Sequence, residues 1–172
     1  MSLGLGFLLE YYDLVFDTAK YDDAFTSALG FAHIFKVKDG DKRIGIGNDP
    51  HKLTEALQRG AGVIAITDFS MDKTLLAKIK DNDAVLCIPL SVIEKSAHGS
   101  RPSLMYRAAA LSRYALSKRI ELSIASLADS RRYMLSYMQI IELAKLIGID
   151  REKARECVSE ANRKAGELLG KD

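Results

Sequence analysis

The chain has 172 residues, 48% of them hydrophobic and 28% charged, with 25 Lys and Arg against 23 Asp and Glu for a net charge of +2. Such values exclude a disordered chain and suit a single domain over residues 1–172, which would bury about 70% of its unfolded surface. The longest apolar runs, such as AVLCIPL at 84–90, are far too short for a membrane span.

The opening MSLGLGFLLEYYD has no basic leader and meets acid at Glu10, so it reads poorly as a secretion signal. Strand character begins with YDLVF (12–16), and the helical pattern DDAFTSALG follows and ends at Gly30. HIFKV (33–37) and RIGIG (43–47) are the next strands; the short link KDGDK between them holds an Asp-Gly pair and predicts a hairpin. DPHKLTEALQRG sets Pro50 in a first turn and closes on Gly60, so GIGNDP before it reads as a strand end plus a helix cap rather than a phosphate loop. GVIAIT (62–67) is a strand, and SMDKTLLAKIKD a helix with Ser70 as candidate N-cap. AVLCIPL (84–90) is the fifth strand, and SVIEKSAHGSR (91–101) a loop leading into a helix over 101–119. IELSIA (120–125) is the sixth strand, SLADSRRY (126–133) its following loop, and MLSYMQIIELAKLIG (134–148) a helix. The last helix starts at the N-cap candidate Asp150 and carries Ala154, Val158, Ala161, Ala165 and Leu168 at core spacing. Near-continuous apolar strands alternating with helices define an α/β protein with a mostly parallel sheet, open or curled toward a barrel. Cys87 and Cys157 lack metal spacing and read as two buried, reduced thiols of an intracellular, cytoplasmic protein.

A catalytic centre is poorly supported. His33, His51 and His98 show no H-x-H or H-x-x-x-H pairing, and each reads as structural or solvated. Asp13 and Asp68, within or just after strands, are the only carboxylates placed as in a barrel active site. They would serve a stand-alone, metal-dependent, phosphoesterase-like hydrolase, but no paired histidines accompany them. No metal ligands and no catalytic residues are assigned.

The net charge hides an asymmetry: residues 1–100 hold 11 Lys and Arg against 14 Asp and Glu, whereas residues 101–172 hold 14 against 9. Arginine, the side chain that grips phosphate in a planar fork, occurs twice before position 100 and nine times after it. Loops after parallel strands gather on one face, which would bring Lys95, His98 and Arg101 of one loop toward Arg131 and Arg132 of the next. On the helix between them, Arg101, Arg107, Arg113 and Arg119 recur every sixth position and cannot form one stripe, because each step turns about 240°. With Leu104, Ala108, Leu111 and Ala115 buried, Arg113 points to solvent and Arg107, Tyr114 and Lys118 share a shoulder. Two cations around an aromatic make a workable nucleic-acid footprint; the plain alternative is a snorkelling flank around the core.

Two segments, LCIPLSVIEKSAHGSRPSLMYRAAALSRYALSKRIELSIAS (86–126) and LAKLIGIDREKARECVSEANRKAGELLG (143–170), resemble the ribonuclease P protein component 3 family of archaea and eukaryotes. Ala154, Arg155, Val158 and Ser159 fall in register with its closing A-K/R-x-x-(V/I)-S helix, and YDLVF, DDAFTSALGF and LQRGAGVIAI match more loosely. The resemblance implies a TIM-barrel-like fold, here an incomplete or reduced barrel of about six mostly parallel strands with surrounding helices. It implies an accessory subunit that binds ribonuclease P RNA, works with ribonuclease P protein component 2, and meets precursor tRNA only indirectly. It further implies that the protein binds no cofactor and that magnesium belongs to the RNA subunit, which would perform the cleavage. The implied RNA-binding residues are Arg107 and Arg113 on the arginine helix, Lys118 near a family lysine, and Arg131 and Arg132 after the serine turn; Lys95, Arg101 and Tyr114 complete the candidate set. The chain departs from the family in ASLA (125–128), in YMLSYM (133–138), and in lacking about one strand-helix unit before AVLCIPL.

Overall fold

The computed structural model describes residues 10–170. Most of the opening segment weighed as a secretion signal, residues 1–9, lies outside them. Six strands are described: β1 (Tyr12–Phe16), β2 (His33–Val37), β3 (Ile44–Gly47), β4 (Val63–Ile66), β5 (Val85–Pro89) and β6 (Leu122–Ala125). They form two sheets, β1-β2 and β3-β4-β5-β6, in which every neighbouring pair is parallel. The helices are α1 (Asp23–Ala28), α2 (Pro50–Gln58), α3 (Lys73–Asp81), α4 (Leu90–Lys95), α5 (Arg101–Ser117), α6 (Tyr137–Leu146), α7 (Arg151–Glu156) and α8 (Asn162–Gly170), with a 3-10 turn at Arg131–Tyr133 after β6 and a π-helical stretch, Cys157–Ala161, joining the last two helices. No described helix is long and apolar enough to cross a membrane.

The local signals explain most boundaries. Asp22 and Asp49 cap α1 and α2 by accepting the Phe25 and His51 N–H groups, and Pro50 opens α2 where its missing N–H costs nothing. Asp150 accepts from Glu152 and Lys153 to start α7, and Ser136 with Gln139 forms a capping box on α6. Three expectations are corrected. The N-cap of α3 is Asp72 rather than Ser70: its side chain accepts the Leu75 N–H at 2.8 Å, after Phe69 has turned the chain through φ +54°. Residues 90–95 are helix rather than loop: Leu90, Ser91 and Ile93 are buried, and Leu90 and Ile93 join the main core. The Asp-Gly pair makes no hairpin. A turn does close there, Asp41 N–H donating to Lys38 O with Gly40 at φ +72°, but β2 pairs with β1 and β3 with β4, so the link joins strands of different sheets.

The two sheets meet along the β1–β6 seam. Beyond the end of β6, Leu127 N–H donates to Leu14 O at 2.8 Å and Phe16 N–H to Ala128 O at 2.9 Å, continuing the parallel pattern for one step. Lower down the strands splay, and Asn162 fills the gap. Its Nδ2 donates to Tyr12 O (2.7 Å) and Ile124 O (2.9 Å), while its Oδ1 accepts from Ser123 Oγ (2.6 Å). The π-helical stretch immediately before Asn162 sets its place over the seam.

One face of the sheets packs the larger core, where Val15, Ile34, Ile64, Ile66, Leu86, Ile88, Leu122 and Ile124 meet the helices. The other face carries Leu14, Val37, Ile44, Val63, Ala65, Val85 and Cys87, covered by Ala165 and Leu169 of α8. Gly166 permits that approach: a Cβ there would stand 2.1 Å from Phe35 Cδ2. Gly166→Ala is therefore expected to lose about 1–3 kcal/mol of stability through overpacking, measured by urea denaturation.

Candidate nucleic-acid interface

β5 and β6 are neighbours, so the segments that follow them stand side by side. Lys95, the last residue of α4, reaches Asp129 in the loop after β6 at 2.6 Å, and its Nζ lies 5.0 Å from the centre of the Tyr133 ring. The Arg132 guanidinium lies 5.6 Å from that ring, and Arg131 sits 3.9 Å over the ring of Phe25 on α1. Three cations and two aromatic rings thus form one cluster at the C-terminal ends of the strands. Arg101, at the start of α5, donates from Nη2 to Glu94 O at 3.0 Å, and its buried Nε has no partner.

A second group lies on α5, where the expected shoulder forms. Arg107 stands 3.9 Å from Asp68 Oδ2, a distance too long for a strong pair. Tyr114 is half-buried with Lys118 Nζ 5.8 Å from its ring centre. Both border a groove of about 260 Å³ whose far wall is Leu76 and Lys80 of α3. Arg113 joins neither group: it is exposed, as expected, with its guanidinium beside Gly148 after α6. The eight candidate residues therefore divide into a loop cluster (Lys95, Arg131, Arg132, with Arg101 adjoining), a helix shoulder (Arg107, Tyr114, Lys118) and the separate Arg113. Among the described residues, Arg101, Arg113, Lys118, Arg131 and Arg132 form no ion pair. The Lys95–Asp129 pair is about one-third to one-half exposed, so it contributes little and orients Lys95 without committing it.

Sequence reasoning missed Phe25, Tyr133, Asp129 and Lys80. Tyr133 adjoins the two arginines and was legible as an aromatic partner; Phe25 lies over a hundred positions away, and nothing local marks it.

Asp13 and Asp68 are not brought together as a metal centre. Among the described residues no three His, Cys, Asp or Glu gather closely enough to hold an ion. His33 is an exposed residue opening β2, and His51 faces Glu55 at 3.3 Å on α2. Asp68 accepts the Ser70 N–H at 3.1 Å. Asp13 is fully buried; its Oδ1 accepts the Leu14 N–H (2.9 Å) and the Ser126 N–H (2.7 Å), and its Oδ2 has no partner. Burial pushes its carboxyl up to about 7, against the pull of the Ser126 and Leu14 hydrogen bonds. The neighbouring Tyr21 and Cys87 are themselves raised to about 12 by burial and stay neutral through this range.

The native state therefore keeps a proton on Asp13 that an unfolded carboxyl releases near pH 4. Stability from this group is complete below about pH 4 and declines as pH rises toward about 7, by up to about 4 kcal/mol. Asp13→Asn, which keeps the acceptor oxygen, is expected to flatten that decline in denaturation curves taken between pH 5 and 8.

No protein-family model matches the chain, and no curated protein matches it. Among solved structures it is similar to A. niger ochratoxinase, with 12% identity and a TM-score of 0.54 over 72% of this chain and 30% of that one. It is also similar to an uncharacterised protein, with 9% identity and a TM-score of 0.57 over 85% of this chain and 36% of that one. The chain thus spans about a third of the length of each. Likeness at such identity concerns the fold alone: an α/β arrangement of parallel sheets with surrounding helices, consistent with a partial barrel.

Proposed function

We propose that the protein is an RNA-associated subunit of a ribonuclease P ribonucleoprotein, built on a reduced TIM-like barrel. The resemblance of residues 86–126 and 143–170 to the component 3 family motivates this reading. The observation that carries it is the cluster of Lys95, Arg131 and Arg132 with Tyr133 and Phe25, drawn from three separate elements onto one edge. Cations beside aromatic faces suit a sugar-phosphate chain: the charges neutralise phosphates, and the rings offer stacking surfaces to unpaired bases. In this mechanism the protein breaks no bond. Its cations offset phosphate repulsion in the folded RNA and so favour the RNA's active conformation, while the RNA with magnesium cuts precursor tRNA at its 5′ end.

The test is reconstitution. Adding the protein together with ribonuclease P protein component 2 to ribonuclease P RNA is expected to raise precursor-tRNA cleavage at low magnesium, where phosphate repulsion is least screened. Cleavage unchanged by the protein at every magnesium concentration would refute the proposal.

A further inference from the structure

The loop that carries Arg131 and Arg132 is tied at its base by one residue. β6 ends at Ala125, so Ser126 has no ladder partner, yet all three of its polar groups are used. Its N–H donates to Asp13 Oδ1 at 2.7 Å, its O accepts the Ser91 N–H at 2.9 Å, and its Oγ accepts the Leu135 N–H at 3.1 Å. Entry and exit of a ten-residue loop (126–135) therefore meet at one side chain, the arrangement of a compact Ω-type loop. The next residue, Leu127, is held in the left-handed region at φ +42°, with its N–H on Leu14 O and its O accepting the Ser91 hydroxyl at 2.9 Å. A leucine in that region is strained and persists only where its surroundings over-determine it. Thr18 Oγ1 adds a bond to Asp129 O at 2.9 Å.

Beneath this lattice lies Asp13, whose carboxyl is one of the few fully buried ionisable groups of the fold. It does not face the loop's cations. It meets the loop at Ser126, whose N–H donates to Oδ1 and whose hydroxyl also acts on the carboxyl, and its second oxygen has no hydrogen-bond partner in the interior. We propose that Asp13 is the positioning residue of the basic loop: by accepting the Ser126 N–H it fixes the loop's base, and with it the stations of Arg131 over Phe25 and Arg132 over Tyr133. The inference rests on the RNA-binding reading for its functional consequence, but its structural half stands apart from RNA.

Because a buried carboxyl group replaced by alanine can loosen the whole fold, four variants are compared: Asp13→Ala, Asp13→Asn, Ser126→Ala and Gly166→Ala. Ser126→Ala removes the Leu135 tie and the hydroxyl's interaction with Asp13 but keeps the Ser126 N–H, and Gly166→Ala lowers stability where α8 packs on Phe35 of β2. Two readouts are taken, tryptic cleavage after Arg131 and Arg132 under native conditions and affinity for ribonuclease P RNA. Asp13→Ala and Ser126→Ala are expected to speed loop cleavage about tenfold and to weaken RNA binding, with Asp13→Asn restoring both and Gly166→Ala changing neither. Loop cleavage unchanged in Asp13→Ala, or altered equally by Gly166→Ala, would overturn the positioning role. Faster loop cleavage with no effect on RNA, in a protein whose Arg131→Glu/Arg132→Glu variant also binds RNA normally, would sink the RNA reading and leave the positioning role intact.

Discussion

Reversing charge at Arg131 and Arg132 together is expected to weaken binding to ribonuclease P RNA by about ten- to a hundredfold. The slope of log affinity against log salt should also become shallower, by about 0.7 for each phosphate of single-stranded RNA that is no longer neutralised. The effect should be large because neither guanidinium is spent on an acidic neighbour; both rest on aromatic rings, at 3.9 Å over Phe25 and 5.6 Å from Tyr133. The fold should be untouched, since both side chains are exposed. Arg107→Glu with Lys118→Glu reports on the helix shoulder separately. A mobility-shift titration across salt concentrations measures both, and unchanged affinity in the Arg131/Arg132 variant with an intact fold would remove the loop cluster from the proposed interface.

Asn162→Ala is expected to be the most destabilising single change considered, at about 3–5 kcal/mol. The side chain is wholly buried, and its removal orphans Tyr12 O and Ile124 O and leaves the Ser123 hydroxyl without its acceptor. Those two carbonyls belong to the facing edges of the two sheets, so the damage falls on the seam that joins them. Thermal denaturation should show a midpoint lower by roughly 10 °C. A change below about 1 kcal/mol would mean that the sheets hold together without this bridge.

The strands were legible because each is a short, nearly continuous apolar run, as a parallel sheet covered on both faces requires; β1 and β2 match their sequence-based limits residue for residue. The short helix α4 was not legible, since a six-residue element is too brief to display a helical period and its buried Ser91 looks like a loop residue. The Asp-Gly pair reads as a hairpin because turn chemistry is local, whereas β3 pairs with β4 through Ile44 and Gly45 opposite Val63 and Ile64. At the candidate interface, the loop placement followed from neighbouring parallel strands, and the α5 shoulder from helical geometry. Contacts between distant positions left no local trace: Arg131 with Phe25, Asn162 with Tyr12, Asp13 with Ser126. The sequence marked Asp13 as a carboxylate in a barrel-site position; its environment shows an acceptor bound up in backbone hydrogen bonds.

Ultraviolet cross-linking of the protein to ribonuclease P RNA, with the attached peptides identified by mass spectrometry, tests the proposed cationic edge most directly. Cross-links are expected in residues 126–136 and 95–107, at Tyr133 above all, and none along the free edge of β2. Attachment confined to β2 and α8, or RNA that releases the protein without any cross-link at binding concentrations, would contradict it.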